Sequence, residues 1–419
     1  MQFDIFFSIC QTEVDGYLPS EKIMFDNFFD QVKLADQMGY ETAWLAETHL
    51  SCQVQKENTN AVIPHFKGEI GLNTDILQMA HLIFAQTQKI HVGSAIRNIF
   101  CNGGPIGNAE AIKTFLTLQN AMGHGVGSQF PRILEFGYAA GRFPFSYNAF
   151  GIKPRDAVEE AAWEVVRHKA FQEASEIMLR LIRGDKIRSE DISPFYITAK
   201  DFREAAAWEK VYKLAKEDPR RQAGKDKFYH IPFYEFDKIG VIPSEVPLDN
   251  LRLTLGSHDP DTQRRANEIL PVGVFNLSIT PPEVIEETHV RMAKQFNSAG
   301  GKWTRSHMPR TVLLFLNGDE NKTPEQQTQQ ARKEAESAWK NYWVAMEKTL
   351  DPRKVESAVE NAIFGNPEQV AQAIVKKYHA QDRLMLWFDF NNHDNASVKK
   401  SMQVFMEQVR PRIEELLKK

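Results

Sequence analysis

Short apolar runs alternate with amphipathic stretches of helical period along the chain, and this alternation constrains the fold more than any single residue. Residues 3–9, 42–46, 90–95, 133–138, 251–255, 272–277, 311–316 and 384–388 read as strands. Between and after them the pattern turns helical. Ser20 can cap a helix that carries Ile23, Phe28, Val32, Leu34, Ala35 and Met38 and stops at Gly39, and Thr74 can cap another to about Gln88. Further helices are expected over roughly 108–122, 155–182 and 261–269, after Pro281-Pro282, and from about Ser397 to the end. The strands are almost continuously apolar, as strands buried on both faces are. Eight such units predict an α/β fold, a (β/α)8 TIM barrel, although a doubly wound open sheet fits the same alternation. A plain barrel takes about 250 residues, so roughly 170 of the 419 must be placed elsewhere. Three stretches can hold them: 48–73 after the second strand, 184–250 before the fifth, and 318–365 before the eighth. We read 1–419 as a single barrel domain with these insertions, the first of them a candidate lid.

Charge and cysteine narrow the partners. Lys and Arg number 51 against 55 Asp and Glu, a net charge of −4, which argues against nucleic acid or an anionic membrane as the main partner. Cys10, Cys52 and Cys101 are odd in number and lie far apart, with no metal-ligand spacing, so a reducing compartment fits better than a disulfide framework. The first residues lack the basic region of a signal peptide, and no apolar run reaches the roughly 20 residues of a membrane span. A soluble cytoplasmic protein is expected. Phe is in surplus, 28 against 7 Trp and 10 Tyr.

In a barrel, polar residues just past the strand C-termini face the active site. Here that group is Ser8, Cys10, Glu47-Thr48-His49, Arg97-Asn98, Gly141-Arg142, Gly256-Ser257-His258-Asp259, Asn276, Asn317, Asp389 and Asn391. Glu47 and His49 are the best acid–base pair, because imidazole titrates near neutral pH. The plainer reading is a hydrogen bond tying the following loop to the barrel. Gly256-Ser257-His258 precedes a helix and suits an anion such as phosphate, unless Ser257 or Asp259 simply caps that helix. Arg142 and Arg155 can add positive charge. Gly123-His124-Gly125-Val126-Gly127 precedes a strand, so it is no dinucleotide fingerprint, and HExxH, GxSxG and GxxxxGK[ST] are absent. No metal site is expected.

The same residues resemble the bacterial luciferase-like flavin monooxygenase family, in order and over nearly the whole chain. Met38-Gly39-Tyr40-Glu41-Thr42-Ala43-Trp44-Leu45-Ala46-Glu47-Thr48-His49 is similar to its G-[FY]-x-x-x-W-x-x-E-H-H signature. Val92-Gly93-Ser94-Ala95 resembles the third strand, and Pro105 with Glu110 the helix after it. Phe136-Gly137 to Gly141, then Phe150-Gly151, resembles its F-G-x-x-x-G … F-G segment. Phe364-Gly365-Asn366-Pro367-Glu368-Gln369-Val370 is similar to a turn near its C-terminus.

The resemblance implies a (β/α)8 barrel, usually a homodimer. It also implies reduced FMN (FMNH2) supplied by a separate flavin reductase, or in one branch F420. O2 would react through a flavin C4a-peroxide to oxygenate a fairly apolar organic substrate by hydroxylation or Baeyer–Villiger insertion. Glu47, Thr48 and His49 take the catalytic slots, with Thr48 where the family has its first histidine. Ser94, Ala95, Ile96 and Asn276 take positions near the flavin. Ala140 replaces the usual phosphate arginine, so Arg142 or Arg155, with Gly141, Gly256, Ser257 and His258, would serve. A dry pocket lined by phenylalanines such as Phe6, Phe66 and Phe145 is expected. The alternatives are an F420-dependent oxidoreductase and a non-catalytic flavin-binding subunit that supports a partner.

Overall fold

The computed structural model describes residues 1–51, 57, 65–125, 127–129, 131–348 and 350–418. Eight parallel strands form its centre: β1 Gln2–Phe7, β2 Thr42–Leu45, β3 His91–Ser94, β4 Leu134–Ala139, β5 Leu251–Leu255, β6 Val272–Val274, β7 Arg310–Leu316 and β8 Arg383–Trp387. All eight lie where the apolar runs place them. Each pairs with its neighbour in chain order from β1 to β6, and β7 pairs with β8, which returns to β1. The remaining gap closes at Asn276, just past β6. Its backbone N–H donates to Pro309 O (2.9 Å), and its carbonyl accepts from the Thr311 N–H (3.1 Å). The sheet is therefore a (β/α)8 barrel, not an open doubly wound sheet.

Side chains fill the barrel in layers, as such a core requires. At the N-terminal end Arg383 bridges Asp4 (2.6 Å) and Glu135 (2.8 Å), and Arg252 meets Glu135 from outside (3.0 Å). Above this charged layer lie Phe6, Trp44, Phe275 and Met385. Trp44 can pack its ring directly on residue 93 because that residue is glycine: a Cβ there would sit 2.4 Å from the ring. The Trp44 indole N–H reaches down to Asp4 (2.6 Å), which couples the two layers.

The helices follow the expected faces, with shifted ends. Ser20 caps Glu21–Met38, and Gly39 ends it in the left-handed region, as the pattern predicts. The next helix, Ile76–Gln86, is capped by Asp75, not Thr74: the Asp75 carboxylate accepts from two backbone N–H groups of the first turn. Gly104–Ala121 begins earlier than expected, at a Gly-Gly turn that admits positive φ. The single helix expected over 155–182 is interrupted at Ala162, giving Ala157–Ala161 and Trp163–Arg183.

The stretch 184–250 holds the helix Ala205–Glu217 and an antiparallel pair, Tyr196–Thr198 with Lys227–Tyr229, around a small core of Trp208, Val211 and Phe228. The stretch 318–365 holds helices Pro324–Glu347 and Pro352–Asn361, then a short strand that pairs with β7. Much of the candidate lid, including Cys52, lies outside the described residues. Among the described residues no helix is long and apolar enough to cross a membrane.

Candidate active site

The C-terminal mouth of the barrel opens into a cavity of about 530 Å³. Glu47, Thr48 and His49 reach it because β2 ends just before them. The Glu47 carboxylate is fully buried and heavily engaged. It pairs with His49 Nε2 (2.8 Å), accepts from the Ile76 backbone N–H (2.9 Å), and faces Arg97 Nη1 (3.3 Å). Glu47 thus anchors the start of the following helix and orients His49, so the loop-tying reading holds for this residue. With the carboxylate on Nε2, the neutral imidazole carries its proton there and leaves Nδ1 as an acceptor. Thr48 bonds Ser51 Oγ (2.8 Å) and donates to Gly71 O (3.2 Å), closing the base of the loop.

The floor is apolar: Ala95, Ile96, Phe275 and Leu277. Ser94 lies beneath it, wholly buried, with no partner for its Oγ among the described residues. Asn276 is likewise buried at the barrel's closure and outside the lining, with Oδ1 unpartnered. Gly141 and Arg142 line one wall. Gly141 has φ +73°, and a Cβ there would sit 2.3 Å from Asn98 Nδ2, so the turn packs on Asn98 only as glycine.

Gly256, Ser257 and His258 line the cavity beside Gly141 and Arg142, at the end of the neighbouring strand, with the Gly256 N–H donating to Tyr138 O (2.8 Å). Asp259 caps the helix Pro260–Ile269, accepting from the Thr262 N–H (2.7 Å), and its own N–H donates to Ser257 Oγ (3.2 Å). That helix end is therefore already capped by a carboxylate. Burial alone would raise the Asp259 carboxyl, but hydrogen bonds from His168 and Thr262 hold it well below the usual range. Burial, helped by Arg291, lowers the His258 imidazole and so favours its neutral form, and its Nδ1 has no partner among the described residues.

Two expectations need correction. Arg155 is not at the cavity. Its guanidinium is clamped by the Glu159 carboxylate and by the carbonyls of Ile231 and Pro232, and it stacks on Phe233 at 3.8 Å, tying the 184–250 stretch to the helices beside it. Phe6, Phe66 and Phe145 do not line the cavity either. Phe6 belongs to the layer below, Phe66 is buried elsewhere, and Phe145 stacks behind Phe143 (5.2 Å). Phe143, Phe171 and Phe275 do line it.

Sequence reasoning missed Arg167 and His168, which face the cavity with Phe171 from one side of Trp163–Arg183. The signal was the i, i+4 spacing of Arg167 and Phe171 near the start of a helix that follows a strand. Arg167 donates to Gly141 O (3.0 Å) and pairs with Glu164, while its Nε has no partner among the described residues.

Ser8, Cys10 and Asp389 gather beside the mouth, between β1 and β8. Asp389 Oδ2 accepts from the Ser8 N–H (3.3 Å) and Oγ (3.1 Å). Burial raises Asp389 to about 6 against these bonds, and pushes the Cys10 thiol up to about 12. Among the described residues no cluster of His, Cys, Asp and Glu is arranged to hold a metal ion.

Residues 1–191 match the family model described as luciferase-like monooxygenase. No curated protein sequence matches the chain. Solved structures similar to it include monooxygenase RslO1 from Streptomyces bottropensis: 16% identity, TM-score 0.63, covering 98% of this chain and 99% of that one. The oxygenating constituent of 3,6-diketocamphane monooxygenase from Pseudomonas putida, a type II Baeyer–Villiger monooxygenase in complex with FMN, has 13% identity and TM-score 0.58, covering 99% of both chains. The coenzyme F420-dependent tetrahydromethanopterin reductase from Methanopyrus kandleri has 14% identity and TM-score 0.51, covering 98% and 99%. At these identities the likeness is one of fold. Residues 1–191 thus carry the sequence of the luciferase-like monooxygenase family, on a barrel that the rest of the chain completes.

Proposed function

We propose that the chain is the oxygenating component of a two-component flavin monooxygenase. It would take reduced FMN from a separate reductase and use O2 to oxygenate an organic substrate. The observation that carries this reading is the make-up of one cavity: an apolar floor of Ala95, Ile96, Phe275 and Leu277, with Arg142, Arg167 and His258 on the walls above it. Its volume suits a cofactor site. The unpartnered His258 Nδ1 and Arg167 Nε are buried polar atoms in want of a ligand, as groups facing a phosphate would be. Arg142, Arg167, Ser257 and His258 would hold the phosphate, and the apolar floor would carry the ring system.

Reduced flavin, when bound, supplies the two electrons with which O2 is activated. The protein's part is to orient, to exclude water and to handle a proton. Phe143, Phe171 and Phe275 give the cavity apolar surface, which would limit water around a bound flavin. His49, held by Glu47 through Nε2, can take a proton at Nδ1. Thr48 offers no imidazole in the neighbouring slot, which leaves His49 as the one basic group of that segment.

Anaerobic titration of the protein with FMNH2 and with reduced F420, followed by fluorescence, tests the cofactor. FMNH2 is expected to bind at least about ten-fold more tightly, a difference of roughly 1.4 kcal/mol. Adding NADH, a flavin reductase and air should then give O2 uptake beyond that of free flavin. Preference for F420, or binding of neither, overturns the proposal.

A further inference from the structure

Arg97 carries a charge among buried side chains and takes no part in lining the cavity. Its guanidinium is fixed from two sides. Nε donates to Asn108 Oδ1 (2.8 Å), while Nη1 faces the Glu47 carboxylate (3.3 Å) and Asp75 (3.4 Å). Asn108 is held in turn, its amide donating to the carbonyls of Cys101 (3.0 Å) and Gly104 (2.8 Å), so the guanidinium cannot swing away without breaking that set. An arginine keeps its proton in a protein, so the charge is permanent. It lies against the carboxylate that holds His49.

That charge decides how many protons the Glu47–His49 pair holds. With Arg97 in place, the Glu47 carboxylate accepts from His49 Nε2 (2.8 Å) and the Ile76 N–H (2.9 Å). Without it, a buried negative charge would be left to one imidazole and one amide, and a proton would make good the loss. There are two places for that proton. Glu47 can take it and donate to Nε2, which moves the imidazole hydrogen to Nδ1. His49 can take it instead, and then both ring nitrogens carry hydrogen. Nδ1 is protonated in either case and no longer accepts.

The other charged and titratable groups near the pair act in definite directions. Asp75 opposes Arg97 from 3.4 Å. Burial, and to a lesser degree the Glu47 charge, pushes the Cys101 thiol up to about 12, so it adds no charge. His81, lowered by burial, lies in the field of Asp75. Arg142, Arg167, His168 and His258 are the remaining titratable side chains of the cavity lining. We propose that Arg97 is the positioning residue that keeps His49 Nδ1 bare, so that His49 meets the cavity as a base and not as an acid. Arg97 acts through Glu47, from outside the lining. That the base serves oxygenation rests on the flavin reading above; its protonation in the flavin-free protein does not.

Nitrogen NMR of the flavin-free full chain, labelled in its histidine rings, reads this directly, with His49→Gln to identify the signal. At about pH 8 the parent should show hydrogen on His49 Nε2 and a bare Nδ1. Arg97→Gln should gain the Nδ1 proton at a pH about one unit or more above the parent, and Arg97→Lys, which restores the charge, within about half a unit of it. Asp75→Asn should gain it at a lower pH than the parent, because asparagine keeps the helix cap and removes the opposing charge. A change of packing alone would not move the two variants in opposite directions. A parent with the hydrogen on Nδ1 at about pH 8 overturns the inference, and so does Arg97→Gln titrating with the parent. If Arg97→Gln does not fold, Asp75→Asn decides alone: a midpoint at or above the parent's overturns it. Failure of the parent to bind FMNH2 would instead count against the flavin reading and leave these titrations standing.

Discussion

Arg155 and Arg167 lie twelve positions apart and look equivalent in the chain, yet one is a structural clamp and the other faces the cavity. The difference lies in partners that sequence does not display: Glu159 and two carbonyls of the 184–250 stretch hold Arg155, whereas Arg167 keeps a free Nε beside Gly141. Hence a paired experiment. Arg167→Ala should weaken FMNH2 binding roughly ten-fold or more, the worth of a charge-assisted hydrogen bond, with little change in melting temperature. Arg155→Ala should lower the melting temperature, because it takes from the buried Glu159 carboxylate its closest guanidinium and leaves only Arg221 at 3.6 Å, and leave FMNH2 affinity where it was. Fluorescence titration and thermal unfolding of both variants read the two effects separately, and the opposite assignment would return Arg155 to the phosphate. Glu47, Thr48 and His49 were legible because they follow a strand directly. The phenylalanines were not: Phe6 and Phe275 both end near the mouth, and only packing decides which one forms its surface.

At the scale of elements, strands were more legible than helix ends, and there is a physical reason. A strand buried on both faces must be apolar throughout, so its position appears in composition. A helix start depends on which polar side chain turns back to the first N–H groups, and adjacent candidates such as Thr74 and Asp75 differ only in geometry. The interruption at Ala162 carries no glycine or proline to announce it. It matters nonetheless, because it starts the helix that brings Arg167, His168 and Phe171 to the cavity. Closure of the barrel was hidden in the same way. The parallel bridge between Asn276 and Arg310 lies beyond the end of β6, at the one polar side chain of the run read as strand 272–277.

Over the whole molecule, pH dependence follows from carboxyls pulled in both directions. Burial raises Asp4 and Asp389 to about 6, against Arg383 and Trp44 in the first case and Ser8 in the second. A carboxyl raised in the folded state holds its proton more tightly there than in the unfolded chain. Its contribution to stability is therefore complete below the ordinary carboxylate range and is lost as pH rises through about 6. Asp156, Asp185 and Asp259 are lowered and act in the opposite sense, gaining above that range. A single replacement separates the two. Asp389→Asn should melt at a higher temperature than the parent above pH 6, with the gap shrinking to nothing by about pH 4. A gap that is constant with pH would mean that Asp389 is ionised throughout.

The layer of Phe6, Trp44, Phe275 and Met385 has one more consequence. It shuts the mouth off from the second cavity of about 610 Å³ at the other end of the barrel, around Glu135, Arg252 and His307. Among the described residues, traffic at the mouth therefore does not pass through the barrel's core. Under the proposed reading, whatever rests on the floor enters and leaves on the side of the mouth and never by the far end of the barrel.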